Sequence, residues 1–321
     1  MAIDEMDYDA STTDHDIPAS ILKECKSNLS YPILLIWKRS FESGTIPHDL
    51  KTQSVIPIFK KGDKSDPANY RPISLTSHLI KIFERVIRKR LVAHLETNNI
   101  LTNKQHGFRK GRSCLTHLLK HIDDIIQSML EGSDHDVIYL DFAKAFDKVD
   151  HEILVHKLKQ CGVRGRLLSW IKQFLTNRNQ YVTINGVHSS FSLVLSGVPQ
   201  GSVLGPILFL IYINDLQGCL KGSTAGSFAD DTRLSKQISC CDDVSVLQQD
   251  LNNVVKWAAE NNMVLHEDKF EFLAYRTPRS KILEELPFTA QWIQYSTPSG
   301  LSLHPSSSVK DLGLILSPDM K

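Results

Sequence analysis

The chain has 321 residues, 41% of them apolar and 23% charged, which suits a soluble globular protein with a proper core and room for one large or two ordinary domains. Its six cysteines form no C-x-x-C pair, which argues against a structural zinc site or a disulfide framework, and no early apolar run looks like a signal peptide. The longest apolar stretch, Pro206 to Ile213, is too short to span a bilayer, so no membrane partner is expected and a reducing, intracellular setting is. The net charge of +1 hides an asymmetry: residues 51–112 hold 14 Lys or Arg against 4 Asp or Glu, a local +10 that leaves −9 for the rest. A basic third on an acidic body is expected where phosphates dock on one side only.

In chain order, residues 1–16 contribute six acids and no Lys or Arg, and are expected to be a loose, disordered start. Ile21 to Arg39 has near-helical apolar spacing, with Pro32 breaking it or starting a turn. Ser54–Phe59 reads as a strand and Lys60–Asp63 as the turn after it. Leu79 to Leu95 is a strong amphipathic helix, with Lys81, Arg85, Arg88, Lys89 and Arg90 covering its polar side. Thr102–Arg112 is polar, basic and glycine-bearing, hence a loop, and a helix follows from about Cys114 to Leu130. Val137–Leu140 is a short continuous apolar run, as expected of a strand buried on both faces, and Asp141 falls at its end.

Helical patterns return over 151–160 and 166–176, and Tyr181–Ile184 with Asn185-Gly186 and the run to Leu195 reads as a hairpin. Ile207–Leu216 is apolar nearly all round, a buried helix with Pro206 suited to its first turn. Val244 to Ala258 is amphipathic, and Met263–Tyr275 reads mostly as a strand. The stretch 277–308 is rich in Ser and Pro and weakly patterned, and Val309–Leu316 is a last strand-like piece. The sequence stops five residues later with no closing element, which suggests a core fragment.

Carboxylates carry the chemical argument. Asp141 sits in Leu140-Asp141-Phe142-Ala143-Lys144-Ala145-Phe146-Asp147, and Phe228-Ala229-Asp230-Asp231 lies far downstream. Three acids gathered by a fold make a site for paired divalent cations and in-line phosphoryl chemistry. The dipeptide alone decides little, because Asp123-Asp124 and Asp242-Asp243 are identical pairs, and adjacent acids usually lie on a solvated turn or helix face. Taken alone, Asp141 reads equally well as a helix N-cap.

Five blocks remove that ambiguity. Tyr70-Arg71-Pro72-Ile73-Ser74-Leu75, Gln105 to Ser113, Leu140 to Asp147, Ser196 to Ser202 and Phe228 to Asp231 occur in the order seen in reverse transcriptases of non-LTR retrotransposons. The chain resembles the LINE class, near its jockey and CR1-like branches, over about residues 17–321. The resemblance implies an α+β right-hand polymerase with fingers and palm, the palm a mostly antiparallel sheet packed on helices and the thumb largely missing. It implies an N-terminal helical segment over 17–50, fingers over 51–135, and palm with primer grip over 136–321, the reverse transcriptase domain running from about 45 to 318. Its reaction would be addition of dNTPs to the 3′-hydroxyl of a DNA primer or target DNA on an RNA template, with two Mg2+ ions, or Mn2+ in their place.

By the same resemblance Asp141, Asp230 and Asp231 are the metal ligands and catalytic acids, and Lys269, in Leu265-His266-Glu267-Asp268-Lys269, lies near the departing pyrophosphate as a general acid. Asp147 and Asp150 belong to the following helix as structural residues. Arg71 would grip the triphosphate, which suits a guanidinium. Phe146 would exclude a 2′-hydroxyl by clash, and Phe142, Gln200 and Gly201 would complete the nucleotide contacts. On residue type alone Phe146 also reads as a core phenylalanine. Lys60 or Lys61, undecided between them, and Arg109, Arg112, Gly197 and Pro199 would contact template or primer. There are departures: Thr13-Asp14-His15-Asp16 replaces the usual Gly-Pro-Asp-Gly and His266 replaces an asparagine. The chain is expected to be a catalytic core without an endonuclease or a Cys/His knuckle. The rival readings are a decayed or domesticated nucleic-acid-binding remnant, and an RNA-templated RNA polymerase or intron maturase, against which Phe146 argues.

Overall fold

The apolar runs become helices and strands in two units, each assembled from two stretches of chain; the computed structural model describes residues 2–13, 16–278 and 295–320. Unit 1 comprises Met1–Ile100 with Val149–Tyr212, and unit 2 comprises Leu101–Lys148 with Ile213–Lys321. This division cuts across the linear partition at residues 135 and 136, because strand pairing joins segments distant in sequence. The basic stretch is divided too, 51–100 folding in unit 1 and 101–112 in unit 2. Lys51 is buried and bonds Gln173 and the Thr176 carbonyl, so not every cation in it faces solvent.

In unit 1, α1 (Ala19–Glu24) and α2 (Lys26–Ser43) are separated at Cys25. The expected break at Pro32 does not occur, and Pro32 sits inside α2. The acidic start, expected to be loose, buries Ile3 and Met6. Asp16 accepts bonds from Ser77 and the His78 N–H, at the N-terminus of α3 (His78–Thr97), while Asp14 and His15 lie outside the described residues. Trp37 of α2 stacks on Phe83 of α3 at 4.4 Å, and Phe83 meets Trp170 of α6 (Gly165–Leu175) edge-on. Buried Trp170 donates to Ser40, so the indole N–H is satisfied within an aromatic core.

Strand β1 (Thr52–Phe59) pairs antiparallel with β2 (Tyr70–Leu75) and parallel with β4 (Arg178–Ile184). β4 pairs antiparallel with β5 (Val187–His188) and β6 (Ser192–Val194), through the Asn185-Gly186 turn read from the sequence. Helix α5 (His151–Gln160) is N-capped by Asp150, and α7 (Gly205–Ile213) is buried along its apolar run. The capping accounts for Asp150 as structural; Asp147 instead lies in a 3-10 turn, Ala145–Lys148, in unit 2.

Unit 2 is built on a four-stranded, wholly antiparallel sheet in the order β7 (Thr224–Phe228), β8 (Asp231–Ile238), β3 (Asp134–Leu140), β9 (Glu271–Tyr275). Val137 and Ile138 at the centre of β3 have no exposed surface, as their continuous apolar run requires. α4 (Cys114–Leu130) packs on β3 and β7, and α8 (Cys241–Glu260) on β8. Ile125, Val137, Leu273, Tyr275 and Val309 form one buried cluster.

Two strand assignments need correction. Only the last third of Met263–Tyr275 is a strand, because a 3-10 turn at Glu267–Lys269 interrupts it. Val309–Leu316 is a hairpin, β12 (Val309–Asp311) and β13 (Leu314–Leu316), since Leu312 and Gly313 turn with φ of 48° and 93°. The weakly patterned 277–308 contributes β10 (Tyr295–Ser296) and β11 (Ser302–Leu303), and its residues 279–294 lie outside the described ones.

Candidate active site

The acids come to one end of the unit 2 sheet. β3 and β8 are antiparallel neighbours with Leu140 opposite Thr232, and the same register carries one step further to Asp141 and Asp231. The β7–β8 hairpin closes through Ala229-Asp230, with Phe228 paired to Asp231. Paired residues on neighbouring strands share a sheet face, so the register sends Asp141 and Asp231 the same way. Asp141 is not a helix N-cap; it follows β3 directly, and the cap is Asp150. Asp231 is exposed, and Asp141 and Asp230 are half-buried.

The other two dipeptides have the ordinary explanation. Asp123 and Asp124 share Lys120 in i,i+3 and i,i+4 ion pairs on α4. Asp243 accepts from the Ser239 and Cys240 N–H groups at the start of α8 and pairs with Lys236.

The block around His266 supports Asp141. The His266 N–H donates to the Asp141 carbonyl at 2.9 Å, and the Ala143 N–H to the Val264 carbonyl at 2.8 Å. His266 therefore holds the Asp141 backbone with a group that an asparagine also owns, so the replacement leaves this support intact. Lys269 Nζ lies 3.0 Å from Asp141 Oδ2. Among the described residues no three His, Cys, Asp or Glu side chains are gathered so as to hold a metal ion. The donor chemistry still suits a hard divalent cation, being three accessible carboxylates on one sheet end. The Lys269 ammonium occupies one Asp141 oxygen, and a cation at that oxygen would compete with it.

Phe142 is buried, 6% exposed, and its backbone bridges to Leu265. Its ring, expected to contact the nucleotide, is thus largely withdrawn from the surface. Phe146 is half-buried in the 3-10 turn with its ring edge-on to exposed Phe108, centroids 6.2 Å apart, so it is neither a core residue nor on an α-helix. Arg109 donates to the Thr102 carbonyl, and Arg112 to the Asn103 and Gln105 carbonyls and Asn103 Oδ1. Both guanidiniums thus brace the Thr102–Arg112 loop.

In unit 1, Lys60, Lys61 and Arg71 are exposed around the β1–β2 connection, Arg71 standing opposite Ile58. The Gly197–Ser202 loop is tied down along its length. The Gly197 N–H donates to the Val149 carbonyl, His151 bonds the Gly197 carbonyl, and the Ser74 N–H donates to the Gln200 carbonyl at 2.7 Å. Gly201 has φ +121°, and a Cβ there would lie 2.5 Å from the Ser74 carbonyl oxygen, so glycine is required twice over. Gly197 and Pro199 are buried and shape this loop from within, whereas Gln200 is half-buried and Gly201 exposed.

Two supporting residues escaped the sequence reading. Glu84 of α3 is fully buried, accepts the Leu204 N–H at 2.9 Å just before α7, and is pushed up to about 7 by burial. Gln105 is 3% exposed and bonds the backbone of Ala229 inside the acid turn. Glu84 looks like one charge among many on a basic helix, with nothing to mark it. Gln105 had a signal, an amide beside a glycine in one of the five blocks, but only its arginines were assigned roles.

Against solved structures, the chain resembles an apo telomerase from Candida tropicalis truncated from its C-terminal domain, with a TM-score of 0.55 and 11% identity, covering 96% of this chain and 61% of that one. At that identity the likeness speaks for fold alone. The mixed α+β architecture, with its acid-bearing antiparallel sheet, is of the right-hand fold class. The family profile for Reverse transcriptase (RNA-dependent DNA polymerase) matches residues 58–316, inside the expected 45–318. The chain belongs to that family. It is 31% identical over 265 residues to a probable RNA-directed DNA polymerase from transposon X-element of Drosophila melanogaster, covering 79% of this chain and 29% of the relative. It is 32% identical over 247 residues to the RNA-directed DNA polymerase from mobile element jockey of the same species, covering 74% and 27%. The resemblance drawn from the five blocks is borne out, and the chain spans less than a third of the length of these relatives. No helix among the described residues is long and apolar enough to cross a membrane.

Proposed function

We propose that this chain carries out RNA-templated DNA synthesis, adding deoxynucleotides to a primer 3′-hydroxyl, in an intracellular setting. The observation that carries this reading is the placement of Asp141 beside the Asp230-Asp231 turn by the β3–β8 register, within a chain of the reverse transcriptase family. Asp141, Asp230 and Asp231 would hold two Mg2+ ions, or Mn2+, which when bound acidify the primer hydroxyl and neutralise charge building on the phosphates.

In the proposed reaction the primer 3′-hydroxyl gives its proton to solvent water and its oxygen attacks the α-phosphorus of the dNTP. The bond from that phosphorus to the bridging oxygen breaks and pyrophosphate leaves. Lys269, exposed and paired with Asp141, would release it and give a proton to the leaving pyrophosphate. Arg71 would contact the triphosphate, with Lys60 or Lys61 adding positive charge. The loop carrying Gln200 and Gly201 would present its polar edge to the nucleotide, and Gly197 and Pro199 would serve that loop by fixing its course. Phe146, with part of its ring exposed, would bar a 2′-hydroxyl. Arg109 and Arg112 would hold the loop that follows the template.

The test is primer extension by the purified chain on an RNA template with Mg2+, comparing dNTPs with NTPs. The expected result is dNTP incorporation that Asp230→Ala abolishes. An active Asp230→Ala variant, or a chain that extends no primer, would sink the reading; equal use of NTPs would sink the role of Phe146.

A further inference from the structure

The acid turn is an unusual piece of backbone. It has two residues and no glycine, and Ala229 sits at φ +55°, in the left-handed region that costs an ordinary residue about 1–2 kcal/mol. Such a conformation persists only where its surroundings over-determine it. Here they come from the Lys104–Gly107 segment. The Ser227 N–H donates to the Lys104 carbonyl at 3.0 Å and the His106 N–H to the Ser227 carbonyl at 2.9 Å, so the segment runs as a short parallel extension along β7.

This extension places the Gln105 side chain under the turn. Its Oε1 accepts the Ala229 N–H at 2.9 Å and the Gly107 N–H at 2.7 Å, and its Nε2 donates to the Ala229 carbonyl at 3.3 Å. Both polar groups of the left-handed residue are thus held by one buried amide. The amide orientation follows from the partners, since backbone N–H groups can only donate. Gly107 seals the arrangement from the other side, for a Cβ there would lie 2.5 Å from the Ala229 nitrogen. A glutamate at 105 would accept the same two bonds, but its second oxygen would face the Ala229 carbonyl and add charge beneath two aspartates.

We propose that Gln105 is a positioning residue for the reaction, fixing the pose of Asp230 and Asp231 through Ala229 without touching substrate. This rests on the polymerase reading for its kinetic consequence, but not for its geometry. A residue that only stabilised the unit would lower stability and leave the turnover of folded protein unchanged. A positioning residue lowers kcat and leaves substrate affinity alone.

The experiment compares wild type with Gln105→Met, which keeps the side-chain shape and removes the amide, by two readouts on the full 321-residue chain. In hydrogen exchange, the Ala229 amide is expected to exchange at least about tenfold faster in the variant, with α8 amides unchanged. In primer extension, kcat is expected to fall by about 10- to 100-fold, with the KM for dNTP within about twofold of wild type. Unchanged Ala229 exchange, an unchanged kcat, or a loss confined to KM each overturns the proposal. If Q105M exchanges globally and so fails to fold, Gly107→Ala decides, because it keeps Gln105 and pushes on Ala229 directly; normal exchange and kcat there overturn it. If wild type itself extends no primer, the polymerase reading falls, and exchange at Ala229 alone decides whether Gln105 fixes the turn.

Discussion

The acid turn of unit 2 and the Gly197–Ser202 loop of unit 1 solve one problem with different chemistry. Each must hold polar groups at the surface on backbone that would otherwise move. The turn is held by a neutral side chain, Gln105, bonding main-chain groups of Ala229. The loop is held mainly by backbone, Gln200 to Ser74 and Gly197 to Val149, with ionisable Glu84 fixing the start of the helix that follows. The first support has no proton to gain or lose near neutrality, and the second has one. The turn should therefore be indifferent to pH in its geometry, and the loop should not.

The largest expected effect is in unit 2. Asp230→Ala should lower the rate of extension by at least about 10³-fold, the scale of several kcal/mol of lost charge stabilisation, with Asp231→Asn costing less. Single-turnover kinetics checks this, and equal losses would undo the ranking of the two acids.

Next comes pH in unit 1. Burial raises the Glu84 carboxyl from 4.5 to about 7, while the Leu204 and Val203 N–H groups, Arg178 and Lys81 pull the other way. The folded state therefore binds the extra proton. The stabilisation is complete below about 4.5 and is lost as pH rises through about 7, amounting to about 3 kcal/mol at the alkaline end. Glu84→Gln should flatten the fall in melting temperature between about pH 4.5 and 7. If the wild-type chain shows no such fall, the contrast between the two supports disappears.

Gly201→Ala should cost about 1–3 kcal/mol and raise the KM for dNTP, since the added Cβ meets the Ser74 carbonyl at 2.5 Å on backbone with φ +121°. Urea unfolding and steady-state kinetics test both parts. The smallest effect is expected for exposed Arg71: Arg71→Ala should raise the KM for dNTP about tenfold with stability unchanged, the loss of a charge-assisted phosphate contact. A stability loss there would mean that Arg71 serves the β1–β2 pair instead.

Much of this was legible in the residues. Helices α4 and α5, strand β1, the Asn185-Gly186 hairpin and the buried run of α7 follow local periodicity and turn chemistry, which act over a few residues. Errors came where tertiary packing overrode local preference. Pro32 stays inside α2, whose Trp37 is committed to an aromatic core with Phe83 and Trp170. Val309–Leu316 folds back at Leu312-Gly313, and Asp311 is drawn in to pair with buried Arg233. Phe142, Gly197 and Pro199, which their motifs would set against nucleotide or nucleic acid, are buried.

By itself the sequence determined the family, because five short blocks in order are a property of the chain and need no coordinates. It could not separate three identical Asp-Asp pairs by their surroundings. Only the tertiary structure did that, giving one pair a lysine on a helix face and another a helix N-terminus. The third received a sheet register opposite Asp141 and a buried amide beneath it. The reason is physical: a carboxylate's role depends on which partners surround it, and Asp141 comes beside the turn that Gln105 holds only after β3, β7 and β8 have paired.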